Sequence, residues 1–425
     1  MNNRSFPVKT RIVFLSALLG AAFVCLSIAQ AATITVTNTN ESGAGSLRQA
    51  LAIANDGDTI DFSVTRPATI TLTSGELLVN KSVTINGPPA IDLTVRSNSV
   101  GRVFHVTGGV TATIARLVIT DVSRPGIDGG GIYNQRSMLT VSNCFIHHNR
   151  AVMGGGIYND GSGSGGNATL NVLNSTLSDN RAGSGGGAGI YNNGSGGGNA
   201  TLSVLNSTLR DNIANAFPSA TAHGAGIYND GSSGRTTLTV LNSTISNNSV
   251  IGQRGSGGGI YNRGTLNVRN STFSGNFARS GGGIYNVGGG ALSGTIFNAN
   301  PIYTLSGTLV SRGYNLSSDD GGRVLYRDGD RINTNPLIGP LQANGGPTLT
   351  HALLPGSPAI NAGNPNFTPP PNYDQRGPGF DRVVNGRIDI GSFEVQATPT
   401  ATPTPTPEPR PTPTPRALPT PTPRP

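Results

Sequence analysis

The chain has 425 residues, of which 61 are glycine, none is tryptophan and only 12% are charged. This balance suits a turn-rich β-structure and argues against a helical enzyme. Most of the formal charge of +8 sits near the termini, in Arg4, Lys9, Arg11, Arg410, Arg416 and Arg424. No basic stripe or run of stacking aromatics accompanies it, so nucleic acid is not expected as a partner.

Residues 1–31 read as a secretory signal. A basic start precedes the apolar run from Ile12 to Ile28, and Ala29-Gln30-Ala31 supplies a small-x-small cleavage pattern. No other stretch is apolar enough to span a bilayer. Residues 32–64 read as an N-terminal cap. Ser46 and Gln49 stand at capping-box spacing, and Leu47, Ala50, Leu51 and Ala54 make one apolar stripe. A helix is therefore expected over about 46–55, closed by Asn55-Asp56-Gly57-Asp58. Its role would be to plug the open end of a stack of strands, which otherwise exposes a strand edge and an apolar core.

Residues 65–300 read as coils. Short strand-like pieces such as Thr69–Leu72, Leu93–Val95 and Leu117–Ile119 come first. Then one block recurs six times: GGGIYN at 129–134, 154–159, 257–262 and 281–286, and GAGIYN at 187–192 and 224–229. Its tyrosines are spaced by 25, 33, 37, 33 and 24 residues. A second block follows each of the first five: LTVSNCFIHHN at 139–149, LNVLNSTLSDN at 170–180, LSVLNSTLRDN at 202–212, LTVLNSTISNN at 238–248 and LNVRNSTFSGN at 266–276. Alternation of apolar and polar residues within it is the periodicity of a strand. Repeats of this length mark a solenoid, in which no coil can bury its apolar face alone.

One coil is thus three short strands, GGGIYN, LxV and STL, joined by turns rich in Asn, Asp and Gly. The fold class is all-β, a single-stranded parallel β-helix. Two asparagine columns, one from Asn143 to Asn270 and one from Asn149 to Asn276, read as turn formers and stacked ladders. About nine coils at roughly 4.8 Å each predict a rod roughly 45 Å long. Cys144 occupies the column of Ser175, Ser207, Ser243 and Ser271, so a small packing residue is expected there in preference to a nucleophile. The tyrosines read as a structural ladder before a sugar-stacking platform.

Residues 301–396 lose the glycine-rich block and read as less regular coils and a C-terminal cap. Within them Asp374 and Arg376 are expected to form an ion pair closing that cap. Residues 397–425 are mostly Thr-Pro repeats, with 12 prolines in 29 residues. They cannot pack a core and read as an extended stalk, a type of segment that carries O-linked sugars.

Three segments carry a resemblance. Ser46-Leu47-Arg48-Gln49-Ala50, with Ala54 to Ile60, resembles the segment that names CSLREA-type proteins, with Gly45 and Gln49 where that pattern has Cys and Glu. The GGGIYN coils are similar to right-handed β-helix proteins of the pectate-lyase-like superfamily and to polymorphic outer-membrane protein repeats. Asn335–Leu341, Asn344–Thr348, Ala352–Ala362 and Asp374–Gly377 resemble the choice-of-anchor Q domain. The resemblance implies a right-handed β-helix exported to the cell surface or the medium. It implies no established reaction.

The superfamily includes polysaccharide lyases and hydrolases, so chemistry on the rod has to be weighed. Aligning the second blocks puts His148, Asp179, Asp211 and Asn247 in one column, beside His147, Ser178, Arg210 and Ser246. Asp179 and Asp211 are a candidate carboxylate pair, with His148 and Arg210 close by. The competing reading is a row of solvated residues beside a turn. No cofactor is expected, with Ca²⁺ held by acidic side chains as the alternative. The function expected is non-enzymatic: a secreted or surface rod, monomeric, serving adhesion or envelope and extracellular interaction with a cell-surface or extracellular polysaccharide or protein. A polysaccharide-binding or polysaccharide-cleaving protein is the alternative. The loops at 160–167, 193–199 and 213–223 and the column from His148 to Asp211 are where function is expected to sit.

Overall fold

The computed structural model describes residues 31–98, 101–123, 126–215, 221–252, 254–301 and 303–396. The expected signal segment and the Thr-Pro tail lie outside them, apart from Ala31. The chain winds as a parallel β-helix with three long sheets. The sheet built from the Leu-x-Val strands has eleven strands, the Ile-Tyr-Asn sheet nine and the Thr-Leu sheet ten. Identical positions of the repeat pair across coils, as in Ile157 with Ile190, Leu170 with Leu202 and Leu177 with Leu209. The insertions seen in the sequence leave this register untouched.

The inward residues explain why the coils stack. Ile132, Ile157, Ile190, Ile227, Ile260 and Ile284 form one fully buried row, and Ile146, Leu177, Leu209, Ile245 and Phe273 form another. Each such side chain contributes roughly 1.5–3 kcal/mol on burial. Ordering the backbone costs roughly 1–2 kcal/mol per residue. A coil of some thirty residues therefore gains too little by itself and is stable only between neighbours.

Asparagine holds the corners. Asn149, Asn180, Asn212, Asn248 and Asn276 are buried and chained amide to amide up to Asn300, with Nδ2 to Oδ1 distances of 2.8–3.1 Å. A second chain runs from Asn134 to Asn286 at 2.6–2.7 Å. The other column has a different task. Asn143, Asn174, Asn206, Asn242 and Asn270 all have φ between 47° and 53°. That left-handed conformation is one that Asn tolerates better than most residues.

The glycine runs allow close approach at two places. Gly187 has φ 62°, and a Cβ there would lie 2.8 Å from the Cβ of Tyr191. A Cβ on Gly189 would lie 2.5 Å from the carbonyl oxygen of Gly226 in the next coil. In the two GAGIYN blocks the middle position is taken by buried Ala188 and Ala225.

Both ends are closed. The helix, Leu47–Ile53, starts at Ser46, whose side chain accepts from the Gln49 N–H, and it buries Leu47, Ala50 and Leu51 in the main core. Arg48 ties it down through Glu41 and the carbonyls of Gly75 and Glu76. At the far end, a short coil at 305–317 brings Leu305, Leu309 and Leu325 into the same core.

Two features depart from the expected plan. A fourth, four-stranded sheet, Arg150–Met153, Arg181–Gly186, Ile213–Asn215 and Ser249–Ile251, forms just before the glycine runs. The second concerns the less regular coils and C-terminal cap expected over 301–396, within which residues 335–396 follow a different path. This segment turns back and lies along the flank of the rod, on the outer face of the Thr-Leu sheet. Thr208 Oγ1 donates to the Leu349 carbonyl at 2.7 Å, Asn242 Nδ2 to that of Tyr373 at 2.7 Å, and the Gly391 N–H to that of Gly294 at 2.8 Å. Its apolar side chains Leu353, Ala359, Ile390 and Phe393 pack on Ile296 and Leu316 of that sheet. The segment is a lateral brace. It includes an antiparallel hairpin, Ile338–Gln342 with Thr350–Leu353.

A candidate binding face beside the brace

The outer faces of the rod are unequal. Outside the Ile-Tyr-Asn sheet the six tyrosines stack with ring centroids 4.7–5.4 Å apart. Tyr158, Tyr191, Tyr228 and Tyr261 are 5–9% exposed. Rings buried to that extent cannot offer a face to a sugar, so this ladder acts as a second, external core. The Leu-x-Val sheet shows short uncharged residues such as Thr140, Asn171 and Ser203. The loops at 160–167 and 193–199 join these two sheets and stack on one another, with the Gly163 N–H donating to Ser195 O at 2.9 Å. Residues 216–220 of the 213–223 loop lie outside the described residues.

The Thr-Leu sheet is different because the brace covers only part of it. Arg96, Thr120, His147, Ser178 and Arg210 follow one another rung by rung, and Ser246 comes next. Ser246 is already covered, with its hydroxyl 3.1 Å from His351 Nε2 of the brace. The parallel row runs Thr94, Val118, Phe145, Thr176 and Thr208. At Thr208 cover begins, where Gln375 Nε2 donates to its hydroxyl at 2.9 Å. Five strands, beginning with Ala68–Leu72, precede this cover and make a face roughly 15–20 Å long at strand spacing, on which Thr120 and Ser178 are themselves buried. It ends against Pro347 and Leu349 in a cleft of about 290 Å³ that also meets Phe145, Thr176 and Arg210.

The candidate column lies along one edge of this face. His148, Asp179, Asp211 and Asn247 have φ of 53°, 56°, 54° and 56°, and Asp121 and Gly275 continue the row at 63° and 66°. These residue types are the ones a left-handed turn accepts most readily, so the backbone accounts for the column's composition. Of the named residues the structure brings Arg210, Asp179 and Asp211 together, while His148 meets His147. Arg210 Nη1 lies 2.5 Å from Asp211 Oδ2 and 3.8 Å from Asp179 Oδ2, so one guanidinium holds both carboxylates. His147 stacks on Phe145 with centroids 4.2 Å apart, and its Nδ1 is 2.6 Å from that of His148. Burial first, and His148 second, hold His147 below the usual histidine range, so its ring is neutral near pH 7. On adjacent rungs Ser178 Oγ and Arg210 Nε are buried with no protein partner.

This arrangement leaves donors and acceptors without protein partners. It is poorly matched to glycoside hydrolysis, which needs one protonated carboxyl opposite one free carboxylate. No group of three or more His, Cys, Asp or Glu side chains that could hold a metal ion occurs among the described residues. Cys144 is buried, and desolvation pushes its thiol up to about 11. Its backbone N–H joins the hydroxyl row by donating to Ser175 Oγ at 3.0 Å, which suits a packing residue. Asp374 and Arg376 are a buried pair at 2.6 Å, with the guanidinium 3.9 and 3.8 Å from the ring centroids of Phe380 and Phe393. They organise the brace.

The sequence left several parts of this face unread. Arg96 was recoverable, since Leu93–Ser97 has the same inward-outward alternation as the later Thr-Leu strands. The contribution of Pro347 and Leu349 was not, because nothing local ties residues near 350 to residues near 208.

The family described as "Right handed beta helix region" matches residues 77–273. No curated protein matches the chain. Among solved structures, the crystal structure of pectate lyase Pel9A is similar over 87% of this chain and 97% of that one, at 16% identity and a TM-score of 0.47. The paired sheets and the matched region together establish the scaffold as a right-handed parallel β-helix.

Proposed function

We propose that this is an exported, non-enzymatic binding rod whose open Thr-Leu face takes an extended polysaccharide at a cell surface or in the surrounding medium. One observation carries the reading: Arg96, His147 and Arg210 on one row of the sheet, accessible beside the aromatic ring of Phe145, where the brace stops. A regular row of donors with one apolar ring suits a repeating polar chain, since a few placed polar groups orient a sugar and a ring supplies contact area. Pairing of both carboxylates with Arg210 favours binding over cleavage.

Affinity electrophoresis of the protein in gels containing neutral and acidic polysaccharides tests this, with a parallel assay for new reducing ends and unsaturated products. Retardation by at least one polysaccharide is expected, weakened in His147→Ala and Arg210→Ala, with no products. Retardation unchanged in both variants would remove the face from consideration. Products that vanish in Asp179→Asn would replace the proposal with a polysaccharide-cleaving enzyme.

A further inference from the structure

A second recess lies on the opposite side of the brace, where the loop at 364–371 leans over the last Leu-x-Val strands. It encloses about 360 Å³. Its floor exists because the repeat changes there. The left-handed column that reads Asn206, Asn242 and Asn270 continues as Gly294 and then Tyr314, both with φ of 59°. A Cβ on Gly294 would lie within contact distance of Asn270 Oδ1. Loss of the side chain at Gly294 opens space beside the sheet, and the brace roofs that space instead of filling it.

The residues around this space have a consistent chemistry. Arg269 ends one strand, Ser293 is its partner in the next, and Arg312 follows one rung on. The two arginines are thus two rungs apart, about 10 Å along the rod. Both are exposed. Arg387 stands nearby with its guanidinium 5.9 Å from the ring centroid of Tyr314, and it donates to the carbonyls of Gly363 and Ala362. None of the three has a carboxylate oxygen within 4.0 Å among the described residues. The lining includes no Asp or Glu, but it does include Tyr314, Phe367 and the amides of Asn267, Asn364 and Asn366. Two guanidiniums without a carboxylate partner, with two rings and several amides, line this recess, in contrast to the Thr-Leu face, where Arg210 already holds two carboxylates.

We infer that this recess is a second binding site, for an anionic sugar: a pyranose carrying a carboxylate or a sulfate. A guanidinium fork matches either group in bidentate fashion. The rings of Tyr314 and Phe367 supply the apolar contact that a sugar face needs, and the amides reach its hydroxyls. The volume is that of a small-ligand pocket, sized for a chain end in contrast to the long open face. The site lies on a different sheet from the proposed polysaccharide face and does not depend on it.

Isothermal calorimetry with the full chain tests the inference, using trigalacturonate, a sulfated disaccharide and the methyl ester of trigalacturonate as probes. At least one charged probe should bind, with the ester roughly tenfold weaker or undetectable, and affinity should fall as salt rises. The double variant Arg269→Ala, Arg312→Ala should lose roughly tenfold or more, while His147→Ala stays at the wild-type value. Arg269→Lys with Arg312→Lys keeps the charge and is the gentler variant, expected to lose part of the affinity because the fork is gone. The carboxylate and sulfate arms tell the two sugar classes apart. No binding of either charged probe, equal binding of the ester, or unchanged affinity in the double variant would overturn the site. Loss in His147→Ala with retention in the double variant would also overturn it, and would leave the proposed polysaccharide face standing.

Discussion

Asn212 sits in the middle of the buried amide chain and is the sharpest place to test what holds the coils in register. Its Oδ1 accepts from the Asn180 backbone N–H at 3.1 Å and from Asn180 Nδ2 at 3.0 Å. Its Nδ2 donates to Leu177 O at 3.0 Å and Asn248 Oδ1 at 2.8 Å. Asn212→Ala removes all four bonds. The Asn212 N–H still reaches Asn248 Oδ1 at 3.2 Å, and Asn180 Nδ2 keeps Ile146 O at 3.0 Å. Left without partners are the Asn180 N–H and one Asn180 amide proton, while the Leu177 carbonyl keeps its place in the strand ladder. At about 1–3 kcal/mol for each buried orphan, a loss of about 4 kcal/mol is expected. That is a large share of a typical 5–15 kcal/mol. Urea denaturation followed by far-UV circular dichroism measures the loss. Hydrogen exchange should show the Asn180 amide losing protection first, because repeat proteins open locally. Asn206, with φ 49°, is the control. Asn206→Gly should be within a few tenths of a kcal/mol of wild type and Asn206→Ala should cost about 1 kcal/mol. If Asn212→Ala costs no more than Asn206→Ala, the buried amide chain is not what fixes the register.

Two further outcomes can be checked directly. The brace buries Arg376 and Arg382 with Asp374, Asp389 and Glu394, so two guanidiniums face three carboxyls. Burial and the surplus acid push Glu394 up to about 8 and raise Asp389 as well. A carboxyl raised in the folded state favours folding fully below its unfolded value near 4.5 and loses that contribution as pH climbs through about 8. Limited proteolysis should therefore release the brace more readily at pH 8.5 than at pH 5.5, and Glu394→Gln should flatten that difference; a brace equally resistant at both values counts against the assignment. Cys144, buried with its thiol near 11, should resist iodoacetamide at pH 8 in the folded protein and react in urea. Labelling at equal rates in both states would show that the column is not closed.

The scaffold was legible because its information is local and repeated. The inward isoleucines, the two asparagine columns and the tyrosine row each recur at one place in every coil, so position within the block predicts environment. Ser46 and Gln49 marked the helix start for the same reason, a contact three residues apart. The fourth sheet was less visible because its strands are short and carry no shared motif: Arg150–Met153 and Ile213–Asn215 have little in common beyond a buried alanine. The candidate column forms a continuous row in the fold, and its residue types follow from left-handed turns. Turn chemistry and site chemistry draw on the same Asp, Asn and His.

The sequence by itself determined the coil, its register and its core, since each depends on residues within one repeat or on the same position in the next. Only the tertiary structure decided which parts of the rod face a ligand. Thr208 with Leu349, Thr244 with Gln375 and Asn242 with Tyr373 are contacts across more than 130 residues. They carry no periodic signal, because the brace is a single copy laid on a repeated surface. Where that copy stops, beside Arg210, and where it arches away, above Gly294, the rod acquires two of its recesses.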